Sequence, residues 1–264
     1  MKWSPEAEAA VEKVPFFIRK KVKKKVAAHV ENQGRSVVTL SDVTALKQQF
    51  LAKGGMAKEV KGYEISACFG SDGCPHVACS TAGLETDLEG LLKQADLLSF
   101  LKSSLGENIK FHHEFRIALC DCPNACSRPQ IADIGIMGAV VPKVGDAPCT
   151  GCRACVDVCP DRAIRLTSQP GNREAPVMDM KRCQRCGKCI QSCPSRTLAP
   201  SESGFRVLLG GRLGRHPRLA MEVPGLHSRE QVLNLVQTCL NYYKIHSKKG
   251  KRFSRLFSRV DQLL

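Results

Sequence analysis

Cys149, Cys152, Cys155 and Cys159, followed by Pro160, are spaced C-x2-C-x2-C-x3-C-P, and Cys183, Cys186, Cys189 and Cys193, followed by Pro194, repeat the pattern 34 residues later. Thiolates two residues apart wrap three corners of an iron-sulfur cube, while the fourth, turned away by its proline, points toward a neighbouring cube. The run predicts a two-cluster ferredoxin. By that crossover Cys149, Cys152, Cys155 and Cys193 hold one 4Fe-4S cluster, and Cys183, Cys186, Cys189 and Cys159 hold the other. Zinc is the competing occupant, but zinc sites present two close pairs separated by a longer spacer, which the doubled four-cysteine run does not match.

A second constellation lies upstream, where Cys68 and Cys74 form C-x5-C and Cys122 and Cys126 form C-x3-C within CDCPNACSRPQIADIGI. Two separated pairs imply a cluster bridged between two loops, and Pro123 with Asn124 predicts a turn between the second pair. Here the sequence resembles the siroheme and iron-sulfur domain of sulfite and nitrite reductases, over roughly residues 60–141 and 204–260, with GGRLGRHPRLA as a second specific piece. The resemblance implies a third 4Fe-4S cluster on these four cysteines, with Cys126 as the thiolate that also ligates siroheme iron. It further implies cations facing the carboxylates of siroheme and an anionic substrate. The candidates are Arg116, Lys143, Arg212, Arg215 and Arg218, with Arg212 and Arg215 as catalytic residues beside Cys126, and Gly210 and Gly211 letting backbone approach the macrocycle. Of the remaining cysteines, Cys239 shares an apolar helical face with Val232, Val236 and Tyr243 and reads as a core thiol. Cys79 and Cys120 lie near the ligands and are alternatives to Cys68 or Cys122. His76 reads as a solvated or core histidine.

The elements that must hold these residues follow from pattern. Residues 1–55 read as a separate helical unit: Ser4 caps and Pro5 starts one helix, and a second follows Pro15. Ile18, Val22, Val26 and Val30 form the buried stripe of that second helix. A third helix runs from about residue 42 to 52 and stops at Gly54 and Gly55. This unit resembles the small domain that ends one of the subunits of light-independent protochlorophyllide reductase, on W-S-P-E-A-E-A and V-P-F-F-I-R-K-K-V. Residues 56–144 and 204–264 read as an α+β domain. Its strands are expected at 114–119, 131–141 and 205–210, with helical sequence over 87–105, broken near Gly90 and Ala95, and a capping-box helix from Ser228 to about 245. The ferredoxin, residues 145–203, is an insertion in it.

Composition bounds the rest. The 264 residues are 43% hydrophobic and 25% charged, which excludes a disordered chain. The first residues carry no apolar secretory stretch and no run is long enough to span a bilayer, so cytoplasmic thiols holding clusters are expected rather than disulfides. The net charge is +15, and fourteen of the forty basic residues fall within 13–25 and 244–259. Nucleic-acid binding is disfavoured by three Tyr and one Trp with no recognition motif, and most terminal lysines read as solvated. The resemblance implies a siroheme-dependent reductase of a small inorganic anion, sulfite or nitrite, served by an electron-donor protein and working as a homodimer or redox-complex subunit. The alternative is a non-catalytic iron-sulfur electron-transfer subunit of a larger complex.

Overall fold

The computed structural model describes residues 1–14, 16–52, 60–70, 73–169 and 173–263, and the chain divides into two compact units, Met1–Val60 and Lys61–Leu264. In the first unit Lys2–Trp3 (β1) pairs in parallel with Val37–Val38 (β2). Two-residue strands carry no period, so the sequence offered no sign of them. Pro5–Glu12 (α1) starts as expected, with Ser4 Oγ accepting from the Ala7 amide at 3.2 Å. Phe16–Glu31 (α2) buries Val26 and Val30 against Ala7 and Val38, with Val22, Trp3, Val43 and Leu46 packed around them. The Ile18 side chain lies outside the described residues. Leu40–Ala52 (α3) begins after Thr39, whose amide and hydroxyl donate to Asp42 at 2.9 and 2.8 Å, and Arg35 closes on the same carboxylate. The stop expected at Gly54 and Gly55 also falls outside the described residues.

The second unit is built on a mixed sheet. Tyr63–Ala67 (β3) was not expected from the sequence, being short and half polar. Leu84–Gln94 (α4) and Leu97–Leu105 (α5) follow, and the break between them is at Asp96, held at φ +42°, rather than at Gly90. Phe115–Cys120 (β4) pairs in parallel with β3, and Ile134–Val144 (β5) pairs in parallel with β4. The chain then enters the cysteine-rich insert: Ala154–Asp157 (α6), the hairpin Ile164–Gln169 (β6) and Arg173–Met178 (β7), and Lys188–Gln191 (α7). It returns as Leu198–Leu209 (β8), antiparallel to β5 along the whole length of that strand. Strand β8 thus starts well before residue 205, because pairing with β5 continues past Val141 through a bulge at Val141/Pro142. Met221–Glu222 (β9) and Arg229–His246 (α8) complete the unit, and Ser228 and Gln231 make the expected capping box.

Strand alternation gives this sheet two unlike faces. Ile117, Leu119, Ile134, Ile136, Phe205, Val207 and Leu209 share one core with Leu88 and Leu92 of α4 and with Val232, Val236, Cys239 and Tyr243 of α8. Cys239 is a core thiol, and burial pushes its pKa up to about 12. Cys120, Met137 and Leu208 point to the other face, where Cys68, Ala125 and Ala220 pack on them. A sheet with helices segregated from the cysteine face is the α+β architecture expected.

Candidate functional site

The repeat in the insert is a repeat of backbone as well as sequence. Gly151 and Arg185, Arg153 and Gly187, and Arg162 and Arg196 are three pairs related by the 34-residue offset, and all six residues are left-handed. Helices α6 and α7 are related by the same offset. These turns aim amides at sulfur: Gly151 N–H donates to Cys149 Sγ and Arg185 N–H to Cys183 Sγ, both at 3.4 Å, and Ala163 N–H donates to Cys159 Sγ at 3.3 Å. Such bonds stabilise a thiolate and tune a cluster held by it.

One cavity is lined by Cys159, Cys183, Cys186 and Cys189 together with Pro142, Ile164 and Gly187. The Cys189 thiol is pushed up to about 12, first by burial and then by neighbouring Cys183 and Cys186, with Cys159 adding to them. In the other half the Cys155 thiol is raised first by burial and then by Cys193 and Cys149. Each run therefore feels the last cysteine of the other. Among the described residues no three acidic, His or Cys side chains converge on a single-ion position. A four-iron cube takes its thiolates at separate corners, so its ligands need not meet at a point.

The upstream cysteines stand where parallel strands β3 and β4 end, the usual place for ligands of a parallel sheet. Cys68 leaves β3 with its amide donating to Leu119 O at 3.0 Å, and its Sγ accepts from the Asp121 amide at 3.4 Å. The Ala125 amide donates to Cys122 O at 3.3 Å, closing the turn expected over Pro123 and Asn124, and Cys126 emerges exposed. Burial raises the Cys122 thiol, and Cys126, Cys74 and Cys68 all add to that shift, so the four thiols share one neighbourhood.

Sequence reasoning missed what holds these two loops together. Asp121 Oδ1 accepts from the Thr81 amide at 3.0 Å and from its hydroxyl at 2.6 Å, while Asp121 O accepts from the amides of Ala78 and Cys79. The acidic residue inside C-D-C was the available signal. Gly138 on β5 admits this junction, since a Cβ there would lie 2.1 Å from Cys79 O and 2.6 Å from Asp121 O. Cys120 is 1% exposed. Its Sγ accepts from the Ser127 amide at 3.3 Å and lies 2.9 Å from Ser127 Oγ, which itself donates to Leu119 O. The Cys120 S–H is thus the donor to Ser127, and Cys120 braces the turn after Cys126. His76 is exposed, as expected.

The candidate cations do not all converge. Arg116 faces the cysteine side but lies four residues, about 13 Å, down β4 from Cys120, ion-paired with Glu64 at 3.3 Å. Lys143 is exposed on the part of β5 that runs out beneath the insert, opposite Ala199. Arg218 is spent on carbonyls: Gly210 O at 3.0 Å, Ser254 O at 2.9 Å and Phe257 O at 3.2 Å. Arg212 donates to Ser254 O at 2.6 Å and His216 O at 2.9 Å. Both thereby staple the C-terminal segment to the turn that follows β8. Both glycines are closely packed: a Cβ on Gly210 would meet Arg218 and Phe257, and one on Gly211 would meet Gln130 O at 2.4 Å. Arg215 is exposed with no bond to a described residue, and so is the side chain of Arg128, just after Cys126. The terminal basic runs are also partly structural, since Lys244 donates to Ala95 O at 2.8 Å and Arg252 pairs with buried Asp133 at 2.7 Å.

Residues 63–262 match the family described as the nitrite and sulphite reductase 4Fe-4S domain, and residues 3–47 match the one described as the proto-chlorophyllide reductase 57 kD subunit. Among curated proteins the chain is 33% identical over 163 residues to a coenzyme F420-dependent sulfite reductase of Methanocaldococcus jannaschii, an alignment covering 62% of this chain and 25% of that protein. It is 28% identical over 105 residues to one of the subunits of the anaerobic sulfite reductase of Salmonella typhimurium, covering 40% of this chain and 26% of that one. The chain spans about a quarter of the length of these relatives. Among solved structures, dissimilatory sulfite reductase I superposes with a TM-score of 0.51 at 18% identity, over 75% of this chain and 50% of that chain. That likeness is one of fold. Among the described residues no helix is long and apolar enough to cross a membrane.

Proposed function

Because the chain belongs to the nitrite and sulphite reductase 4Fe-4S domain family, we propose that it is a siroheme-dependent reductase of a small oxyanion, sulfite or nitrite, fed with electrons through its ferredoxin insert. The observation that carries this reading is the order of partners along one edge of β5. Cys120 pairs with Met137, and where β4 ends the insert takes over the same edge, Cys186 bridging to Val140 and the Val140 amide donating to Arg185 O at 2.8 Å. Three residues of strand, about 10 Å, separate the two pairings. This order supports a second cluster site in the insert that faces the loops of Cys68, Cys74, Cys122 and Cys126.

The residues fit the groups the family implies. The crossover sets, Cys149, Cys152, Cys155 and Cys193, and Cys159, Cys183, Cys186 and Cys189, would hold two 4Fe-4S clusters, and Cys68, Cys74, Cys122 and Cys126 a third. Cys126, the most exposed of these four positions in the described fold, would present its thiolate to siroheme. Phe69, next to Cys68, and Leu219, next to Ala220 on the cysteine face, expose apolar side chains, and the exposed Arg128 and Arg215 would suit carboxylates and an oxyanion. When bound, the clusters carry single electrons and siroheme supplies the iron at which the anion is reduced. The arginines hold the anion's charge and keep protons near it. Residues 145–203 act as the insertion, residues 1–55 as a separate helical domain, and reduced thiols of this kind suit the cytoplasm.

An absorption spectrum of anaerobically purified protein, paired with sulfite and nitrite turnover, tests the proposal. Siroheme bands with turnover support it. A second reading has its own observation: Arg212 and Arg218 are committed to backbone, and the solved relative is about twice as long as the stretch matched. A cluster spectrum without siroheme bands would therefore favour an electron-transfer subunit, and a second copy or a partner chain completing the anion site would account for turnover seen only in an assembly.

A further inference from the structure

The two halves of the insert are equivalent in backbone and unequal in surroundings. Cys186 and Gly187 are packed on β5, where a Cβ on Gly187 would lie 2.5 Å from Val140 Cγ1. Their counterparts by the repeat, Cys152 and Arg153, are exposed. One cluster site is thus turned to the sheet and the other, that of Cys149, Cys152, Cys155 and Cys193, to solvent.

Arg153 sits in that outward half at φ +62°, where the equivalent residue, Gly187, adopts the same conformation without a side-chain penalty. Backbone geometry alone favours glycine there. Arg196, three residues beyond the outer ligand Cys193, is also left-handed, at φ +54°, and exposed. Neither guanidinium makes an ion pair or hydrogen bond with a described residue; in the inward half Arg185, the counterpart of Gly151, pairs with Glu222 at 3.7 Å, while Arg162, the counterpart of Arg196, is exposed like it. Glu174 approaches Gly151, yet the insert, residues 145–203, still carries nine Lys and Arg against six Asp and Glu, on a chain of net charge +15.

We propose that Cys152, Arg153 and Arg196 mark a docking surface for an acidic electron-carrier protein, which delivers electrons to the outward cluster site. The docked carrier is oxidised by one electron and the protein reduced by one, with no bond broken and no proton moved. Exposed, unpaired cations around an exposed ligand steer an acidic partner and fix its orientation. This inference rests on the reading that the insert feeds the reductase domain, but its test needs neither siroheme nor oxyanion, so failure of turnover leaves it intact.

The test measures affinity of the cluster-loaded full chain for a small acidic bacterial ferredoxin, with a basic cytochrome c as comparator, at several salt concentrations. Wild type should bind the ferredoxin with salt-sensitive affinity and bind the cytochrome weakly. Arg153→Glu with Arg196→Glu should weaken ferredoxin binding by about tenfold or more and slow bleaching of the insert's clusters by the reduced ferredoxin. The charge-matched pair Lys248→Glu with Lys251→Glu should change it by less than about threefold. Arg153→Lys with Arg196→Lys should keep the affinity, and iron content confirms that every variant is loaded. No binding by wild type, or equal weakening in the two Glu pairs, overturns the proposal.

Discussion

Cys186 and Cys120 are served by the same edge of β5, Cys186 through Val140 and Cys120 through Met137. The insert is therefore anchored as a continuation of the sheet, and the cavity lined by Cys159, Cys183, Cys186 and Cys189, the set proposed for the inward cluster, lies at that anchor beside Pro142 and Gly187. Crossed ligand replacement reads this out. Cys159→Ser should alter the same cluster signal in the electron paramagnetic resonance spectrum of reduced protein as Cys183→Ser, and Cys193→Ser the same one as Cys149→Ser. If Cys159→Ser instead matches Cys149→Ser, each run holds its own cube and the crossover is wrong.

Arg218 bonds three backbone carbonyls and lies 5.6 Å over the Phe257 ring, so its work is to fix residues 253–263 on the turn that follows β8. Arg218→Met should leave those carbonyls without their donor, at a cost of about 1–3 kcal/mol, and should raise hydrogen exchange in the C-terminal segment. Arg215→Met should do neither, because that side chain is exposed and without a partner among the described residues. A stability loss from Arg215→Met equal to that from Arg218→Met would contradict the division of roles.

The arginines show where the sequence was readable and where it was not. Cysteine spacing carries its own geometry, so the repeated backbone of the insert, the turn at Pro123 and Asn124 and the core placement of Cys239 could all be anticipated from local rules. Arg212 and Arg218 could not, since their partners Ser254 and Phe257 are far along the chain and nothing local separates a guanidinium that caps carbonyls from one that awaits an anion. The same holds for Gly210, beside the Arg218 and Phe257 side chains, and for Gly211, beside the backbone of Gln130 and Ala132. Strand β3 was missed because Glu64 and Ser66 break its apolar run, and β8 was cut short because Pro200, Ser201 and Ser203 look like a linker, although Pro200 and Ser203 pair with β5 and Ser201 is the bulged residue between them.

In the N-terminal unit Arg35 first, and then Thr39, hold the Asp42 carboxyl well below the usual carboxylate range. A carboxyl whose folded pKa lies below its unfolded value stabilises the fold above the unfolded value, near pH 3.9, and loses that contribution as pH falls toward the folded one. Trp3 is the sole tryptophan and packs in this unit's core, so its fluorescence reports the loss. Wild type should hold its signal to about pH 4 and lose it below, while Asp42→Asn should be less stable at neutral pH with a flatter acid limb. A variant with an unchanged acid limb would show that the Arg35–Asp42 pair is not what acid titrates.

Cys120 and Cys126 lie close in sequence, and burial first, with Cys126 among the smaller causes, raises the Cys120 thiol, but their settings differ in kind. Cys120 is buried with Met137 and Leu208, and its sulfur is engaged by Ser127 through both the amide and the hydroxyl. Cys126 is exposed, beyond a turn closed by Cys122 and Ala125. Serine at position 120 keeps a donor and an acceptor for Ser127, so Cys120→Ser should retain iron at the wild-type level, about twelve atoms per chain in three cubes, plus the iron of siroheme where that is bound. Cys126→Ser should lose the third cluster's iron, about four atoms, and any siroheme absorption, while the two signals of the insert persist, because the cysteine sets share no residue. Iron analysis with electron paramagnetic resonance of both variants settles which thiol is the ligand. Loss of iron in Cys120→Ser with full retention in Cys126→Ser would move the bridging role off Cys126 and make the Ser127 contacts a resting arrangement of a ligand.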